Sequence, residues 1–290
     1  MCLLCDLKSP QPSASAPRPG HVWSSRRAFV LAAAASAAST TLPAAAQVDV
    51  GKPSSLRKLV PADEIEGAAT QQYVQMMREA QGKQVLLPAG HPQVKRLHAI
   101  ARRIIPHAAA WNPRAREWKW QVNLIQSPEI NAFCMPGGKI GFYTGILDQL
   151  ALSDDETAMI MGHEMAHALR EHARERLAKS SATDIGLRLG AQLLGLGDLG
   201  NVAAGLGSQL LTLRFSREDE SEADLVGLEL AARGAYQPRA SVSLWQKMAA
   251  KTGGPGIGFL STHPTGPHRI RDLEANVPKV QGLYEQARKG

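Results

Sequence analysis

Two histidines and a glutamate define the chemistry this chain can do. His163-Glu164-Met165-Ala166-His167 lies in a window, residues 157–177, whose pattern predicts one continuous helix. Residues four apart lie one turn apart on the same helix face, so both imidazoles can reach a single metal ion with Glu164 beside it. That is half the ligand set of a hydrolytic zinc site. The surroundings agree. Met159, Ile160, Ala166 and Leu169 give the helix an apolar side, and Ser153-Asp154-Asp155-Glu156 supplies an N-cap and an acidic first turn. Gly162 leaves room for another backbone to approach closely. The competing reading is a solvated helix with scattered histidines.

A zinc hydrolase usually has three protein ligands and one open position, so a further His, Asp or Glu must come from elsewhere. The extended HExxHxxGxxH pattern fails, because Arg170 stands at its glycine position and Ala173 at its last histidine position. His172 lies about 140° around a continuous helix from His167 and is expected to face away. A better source is the acidic run Ser216-Arg217-Glu218-Asp219-Glu220-Ser221-Glu222-Ala223-Asp224, which opens a second helix continuing through Leu225, Leu228 and Leu230. The spacing of Glu220 and Asp224 can aim one carboxylate at a metal and the next, one turn along, at the far nitrogen of a ligating imidazole. An ordinary acidic helix start does not need that pair.

Elements on either side must position these groups. Helical patterns run over residues 61–80 and 91–105, and residues 118–125 alternate as a half-buried strand does. Residues 131–143 read as a hairpin turning at Pro136-Gly137-Gly138. Its edge could pair with an extended substrate, or it could be an ordinary hairpin. The Leu-, Ala- and Gly-rich stretch 185–213 is predicted to form two short buried helices around Gly197-Asp198-Leu199-Gly200-Asn201, a flap or an interfacial hairpin being the alternatives. Residues 238–250 form an amphipathic pattern, Gly253-Gly254-Pro255-Gly256 a break, and a final helix starts at Pro267. The expected class is α+β and mostly helical, with a small hairpin packed against the HExxH helix.

At the amino terminus, Ser25-Arg26-Arg27-Ala28-Phe29-Val30 followed by an alanine-rich apolar run reads as a twin-arginine export signal. Residues 1–46 are expected to be this signal, cleaved before Gln47, and residues 47–290 one catalytic domain. The expected location is the periplasm, or the inner membrane if the signal stays as an anchor. Cys2 and Cys5 would leave with the signal, so Cys134 alone remains and no internal disulfide can form. The formal charge is +7 over 290 residues. Residues 47–290 hold 29 basic against 25 acidic residues, a net +4, with the basic residues dispersed. This argues against nucleic acid as a partner and for at most peripheral membrane contact.

Four motifs in order carry a family resemblance. They are Asn131-Ala132-Phe133 with Gly138 and Tyr143-Thr144-Gly145; His163-Glu164-Met165-Ala166-His167; Ser216-Arg217 with Glu220, Ala223 and Asp224; and Ser261-Thr262-His263-Pro264 followed by Arg269-Ile270. From about Glu64 to Leu273 the chain resembles the gluzincin metallopeptidases of peptidase family M48, which include heat-shock, mitochondrial and prenyl-protein proteases. The resemblance implies a zincin-like fold and one Zn²⁺ per chain held by His163, His167 and Glu220, with Glu164 as general base and Asp224 supporting an imidazole, His163 first. The absence of several hydrophobic spans points to the soluble, exported branch.

The expected reaction is hydrolysis of peptide bonds in polypeptide substrates, by analogy misfolded or unassembled envelope proteins, with envelope assembly machinery as a possible partner. His263, His268 and Arg217 are candidates to stabilise the tetrahedral intermediate, His263 first. His263 could instead cap the metal as a further ligand, or be a surface or structural His-Pro turn. The alternative function is a zinc-stabilised chaperone or assembly factor that binds clients without cutting them, for which Glu164 would be dispensable.

Overall fold

Helix α1 (Ala62–Gly82) begins after Pro61 with Asp63 and Glu64 in its first turn, where carboxylates complement the helix dipole. Helix α2 (Pro92–Ile104) starts on a proline, and the His91 side chain accepts the Gln93 N–H. It buries Val94, Leu97, Ile100, Ala101 and Ile104, the single face that the sequence spacing requires. The computed structural model describes residues 48–181, 210, 213–251, 258–263 and 268–290.

Three strands follow: β1 (Gln121–Ile125), β2 (Ala132–Met135) and β3 (Lys139–Tyr143). The expected hairpin is β2 and β3, paired antiparallel, with Gly137 and Gly138 at φ of 82° and 75° closing the turn in a conformation that favours glycine. Strand β3 also pairs parallel with β1, so the order is β1-β3-β2 and, among the described residues, β2 is an edge strand. It runs alongside the HExxH helix.

That helix, α4 (Asp154–Leu169), follows a short α3 (Thr144–Gln149). The Ser153 hydroxyl accepts the Glu156 N–H and the Glu156 carboxylate accepts the Ser153 N–H, so two of the four orphan donors at the helix start are satisfied. Every residue from Glu156 to Leu169 is buried. The helix therefore runs through the core rather than presenting one apolar side to it.

The single helix expected over 157–177 is in fact two. Helix α4 ends at Leu169, whose carbonyl accepts a hydrogen bond from the buried Asn112 side chain, and Glu171 takes a left-handed φ of 60°. Its carboxylate is anchored there by Arg57 at 2.9 Å and by Arg174. Helix α5 (His172–Ser181) then begins. Tertiary ion pairs thus override a helical pattern that sequence alone reads as continuous.

Helix α6 (Arg217–Arg233) is capped by Ser216 and Asp219 as α4 is by Ser153 and Glu156. It is followed by α7 (Ala240–Ala250), α8 (Gly258–Thr262) and α9 (Arg269–Ala287). The fold is α+β and mostly helical, as expected. Residues 1–46 and nearly all of 185–213 lie outside the described residues, so the signal and the flap reading are not addressed by the fold. Among the described residues no helix is long and apolar enough to cross a membrane.

Candidate metal centre

His163 and His167 on α4, Glu220 on α6 and His263 just past α8 each offer one ligand atom, all within 4.8 Å of one another, and all four residues are buried. The two Nε2 atoms are 3.2 Å apart. Glu220 stands 3.5 Å from His163 Nε2 through Oε2 and 3.4 Å from His167 Nε2 through Oε1. Donors about 2.0–2.1 Å from a tetrahedrally bound zinc lie about 3.3 Å from one another. The His163, His167 and Glu220 atoms match that spacing, and two imidazoles with a carboxylate are a donor set that zinc takes. These residues fit the ion.

Each group is oriented from behind. His163 Nδ1 lies 3.0 Å from Asp224 Oδ1, so its Nε2 faces the other donors. Arg269 joins the two acidic residues of α6, donating from Nη1 to Glu220 Oε2 at 2.9 Å and from Nη2 to Asp224 Oδ1 at 2.7 Å. Its guanidinium carbon sits 3.3 Å from the centre of the Trp245 ring. His167 stacks on Phe215 with centroids 3.9 Å apart, and His263 on Phe259 at 4.4 Å. His263 Nδ1 is 2.9 Å from Glu220 Oε1, and its Nε2 is 3.5 Å from Glu164 Oε1.

The two ligand-type imidazoles are pushed in opposite directions. Burial pulls both down, and for His163 the Asp224 and Glu220 carboxylates outweigh it and raise the pKa to about 9. His167 has Glu220 but no directly bonded second carboxylate, and burial takes it well below the usual imidazole value. Burial opposes ionisation of Glu220 as well, yet the three surrounding imidazoles hold its carboxyl far below the ordinary range. For Glu164 burial wins and the carboxyl is pushed up.

Glu164 is 3% exposed and its Oε1 has no hydrogen-bond partner among the described residues. It lines a cavity of about 210 Å³ together with His167, His263, Tyr143 and the edge strand β2. The Cys134 N–H of β2 bonds to the Glu164 carboxylate. Cys134 itself is half-buried, and burial drives its thiol pKa well up, against a reactive thiolate.

The structure brings together six of the residues singled out from sequence: His163, Glu164, His167, Glu220, Asp224 and His263. It does not bring Arg217, which is exposed on the first turn of α6, nor His268, which is exposed and pairs with Arg271. Three residues before Glu220, Arg217 is rotated about 60° off its face, toward solvent. The positively charged partner of the site is Arg269 instead. His263 is 3% exposed and within the site, not a surface turn.

His172, expected to face away, places Nδ1 2.9 Å from His167 Nδ1. The break at Glu171 turns it back toward the site. Arg269 had a signal, since it stands in the last of the four motifs, although nothing in the spacing specified its target. His172 had none without knowledge of the break.

Comparison with known proteins agrees with the geometry. Residues 91–277 match peptidase family M48. The chain is 35% identical over 199 residues to the mitochondrial metalloendopeptidase OMA1 of Schizosaccharomyces pombe, covering 68% of this chain and 56% of that one. It is 41% identical over 174 residues to the mitochondrial metalloendopeptidase OMA1 of Arabidopsis thaliana, covering 59% and 35%. It is 27% identical over 202 residues to the metalloprotease LoiP of Escherichia coli, covering 69% and 76%. The chain therefore spans about half the length of the first of these relatives. The periplasmic location expected from the amino terminus, and its inner-membrane alternative, are overturned by the mitochondrial names of the more similar relatives. The match over residues 91–277 and the donor set within it lead to one conclusion: the chain belongs to peptidase family M48.

Proposed function

We propose that this chain is a zinc-dependent metalloendopeptidase, with residues 47–290 as its single catalytic domain. The observation that carries the reading is the buried Glu164 carboxylate, one oxygen unpartnered, beside three donors spaced for zinc. His163, His167 and Glu220 hold the ion, and Asp224 orients His163. Zinc, when bound, polarises a scissile carbonyl and lowers the pKa of a water toward 7.

Glu164 is the general base: it takes a proton from the attacking water and passes it to the leaving amine. Its burial, which raises its pKa, makes it a stronger base than an exposed glutamate. His263, with Nε2 3.5 Å from Glu164 Oε1, is placed to donate a hydrogen bond to the oxyanion that develops beside that carboxylate. A second reading has a specific observation behind it. His263 Nδ1 is only 3.3 Å from His163 Nε2, close enough to act as a fourth donor that holds the site latent.

The substrate is an extended polypeptide laid along β2, which lines the cavity next to Glu164. Misfolded or unassembled proteins expose such segments, and folded ones do not.

The test is digestion of casein by zinc-loaded protein beside Glu164→Gln, with metal content assayed in both. Cleavage by the wild type alone at equal zinc supports the proposal. Binding of casein without cleavage by either protein would favour the non-proteolytic chaperone, and absence of zinc from the wild type would sink the site.

A further inference from the structure

We infer that His172 is a positioning residue for His167, and that Glu222 orients His172 in turn. The inference rests on the proposal that the cluster holds zinc. His167 turns Nε2 toward His163 and Glu220, so that nitrogen must be unprotonated to bind a metal, and the proton sits on Nδ1. The atom 2.9 Å from that Nδ1 is His172 Nδ1, which must then accept. His172 consequently carries its own proton on Nε2, which lies 3.4 Å from Glu222 Oε2. One assignment of protons satisfies the whole chain, from ligand to imidazole to carboxylate.

Glu222 is held for this task. Arg170, 4% exposed at the end of α4, donates from Nε to Glu222 Oε2 at 2.7 Å. Its Nη2 donates to the carbonyls of Val50 and Gly51 at 3.3 and 3.0 Å, which fixes the guanidinium from the other side. The two ligand histidines are therefore supported by two carboxylates of one helix: Asp224 reaches His163 directly, and Glu222 reaches His167 through His172. Without His172 the buried His167 Nδ1–H would lose the acceptor 2.9 Å away.

The test compares His172→Asn, whose side-chain oxygen can still accept, with His172→Leu, which fills similar space and cannot. Zinc affinity of the full chain is measured by competition with a chromophoric chelator, and the visible absorption of the cobalt-substituted protein is recorded for each. The leucine variant is expected to bind zinc about 10- to 100-fold more weakly, with a changed cobalt spectrum. The asparagine variant is expected to restore most of the affinity.

Equal weakening by Asn and Leu would reduce His172 to a packing role and overturn the inference, as would wild-type affinity in both. Should the leucine variant fail to fold, Glu222→Ala, at a half-buried position, asks the same question, and unchanged zinc affinity there defeats the chain. A wild type that binds no zinc would fail the site itself, an outcome distinct from all of these.

Discussion

Gly162 of α4 and Gly227 of α6 meet backbone to backbone: a Cβ at Gly162 would stand 2.6 Å from the Gly227 carbonyl oxygen, and one at Gly227 2.6 Å from the His163 amide nitrogen. No side chain is accommodated on either side of that crossing. The helix carrying both histidines and the helix carrying Glu220 and Asp224 are thereby brought close enough for a carboxylate to sit 3.4–3.5 Å from two imidazoles.

Gly227→Ala should therefore separate the helices and loosen the site together. Overpacking a tight contact costs about 1–3 kcal/mol, which lowers the melting temperature of a domain this size by several degrees. Zinc affinity should fall in the same variant. Calorimetric melting with and without zinc checks both, and a variant that melts and binds like the wild type would remove the crossing from the account.

Glu164→Gln should lower kcat by about 10²–10⁴-fold with zinc content unchanged, the range that a positioned general base contributes. The wild type adds a pH signature. Glu164 must be ionised to accept a proton, and burial raises its pKa above the usual 4.5, opposed but not cancelled by His263 and His163. Activity should thus be lost as pH falls through the Glu164 pKa, which burial raises and the charge of a bound zinc lowers. A kcat/KM profile over pH 4–8 on protein kept zinc-loaded reads this limb, which should be missing from the residual activity of Glu164→Gln; the same limb persisting in that variant would exclude Glu164 as the base.

How far sequence reached depended on whether a contact lay within one helix or between elements. The His163 and His167 pair is set by a spacing of four on α4, and Glu220 and Asp224 by the same spacing on α6, so both half-sites were legible. The hairpin was legible from its glycines. What joins the halves was not. Gly162 was legible as room for a second backbone, but its partner Gly227, the targets of Arg269 and the return of His172 depend on tertiary geometry that no local period encodes. Arg217 fails for the same reason, because proximity in sequence to Glu220 says nothing about which side of α6 faces solvent.

Arg269→Met tests the carboxylate pairing of α6. Arg269 is 8% exposed and its guanidinium bonds both Glu220 and Asp224. Removing one partner of a buried pair leaves charge uncompensated and costs about 3–5 kcal/mol. Two carboxylates are stranded here, so the metal-free variant should lose at least that much. Zinc compensates part of the charge, so the loss should be smaller in the zinc-loaded protein. Denaturant melts of both forms check the ordering. Equal destabilisation with and without zinc would mean that Arg269 acts by packing on Trp245 rather than by charge.

His263→Ala separates the two roles open to that imidazole. Its Nε2 lies 3.5 Å from the Glu164 carboxylate, on the cavity side of the site, while Nδ1 is taken up by Glu220 at 2.9 Å. A residue so placed can donate to an oxyanion only if Nε2 carries the proton, and the Glu220 carboxylate, an acceptor, competes for a proton on Nδ1. The expected result is a loss of more than tenfold in kcat with little change in zinc affinity. A rise in activity, accompanied by weaker zinc binding, would instead identify His263 as a fourth ligand that keeps the enzyme latent. Unchanged kinetics and affinity would leave it only its stacking on Phe259.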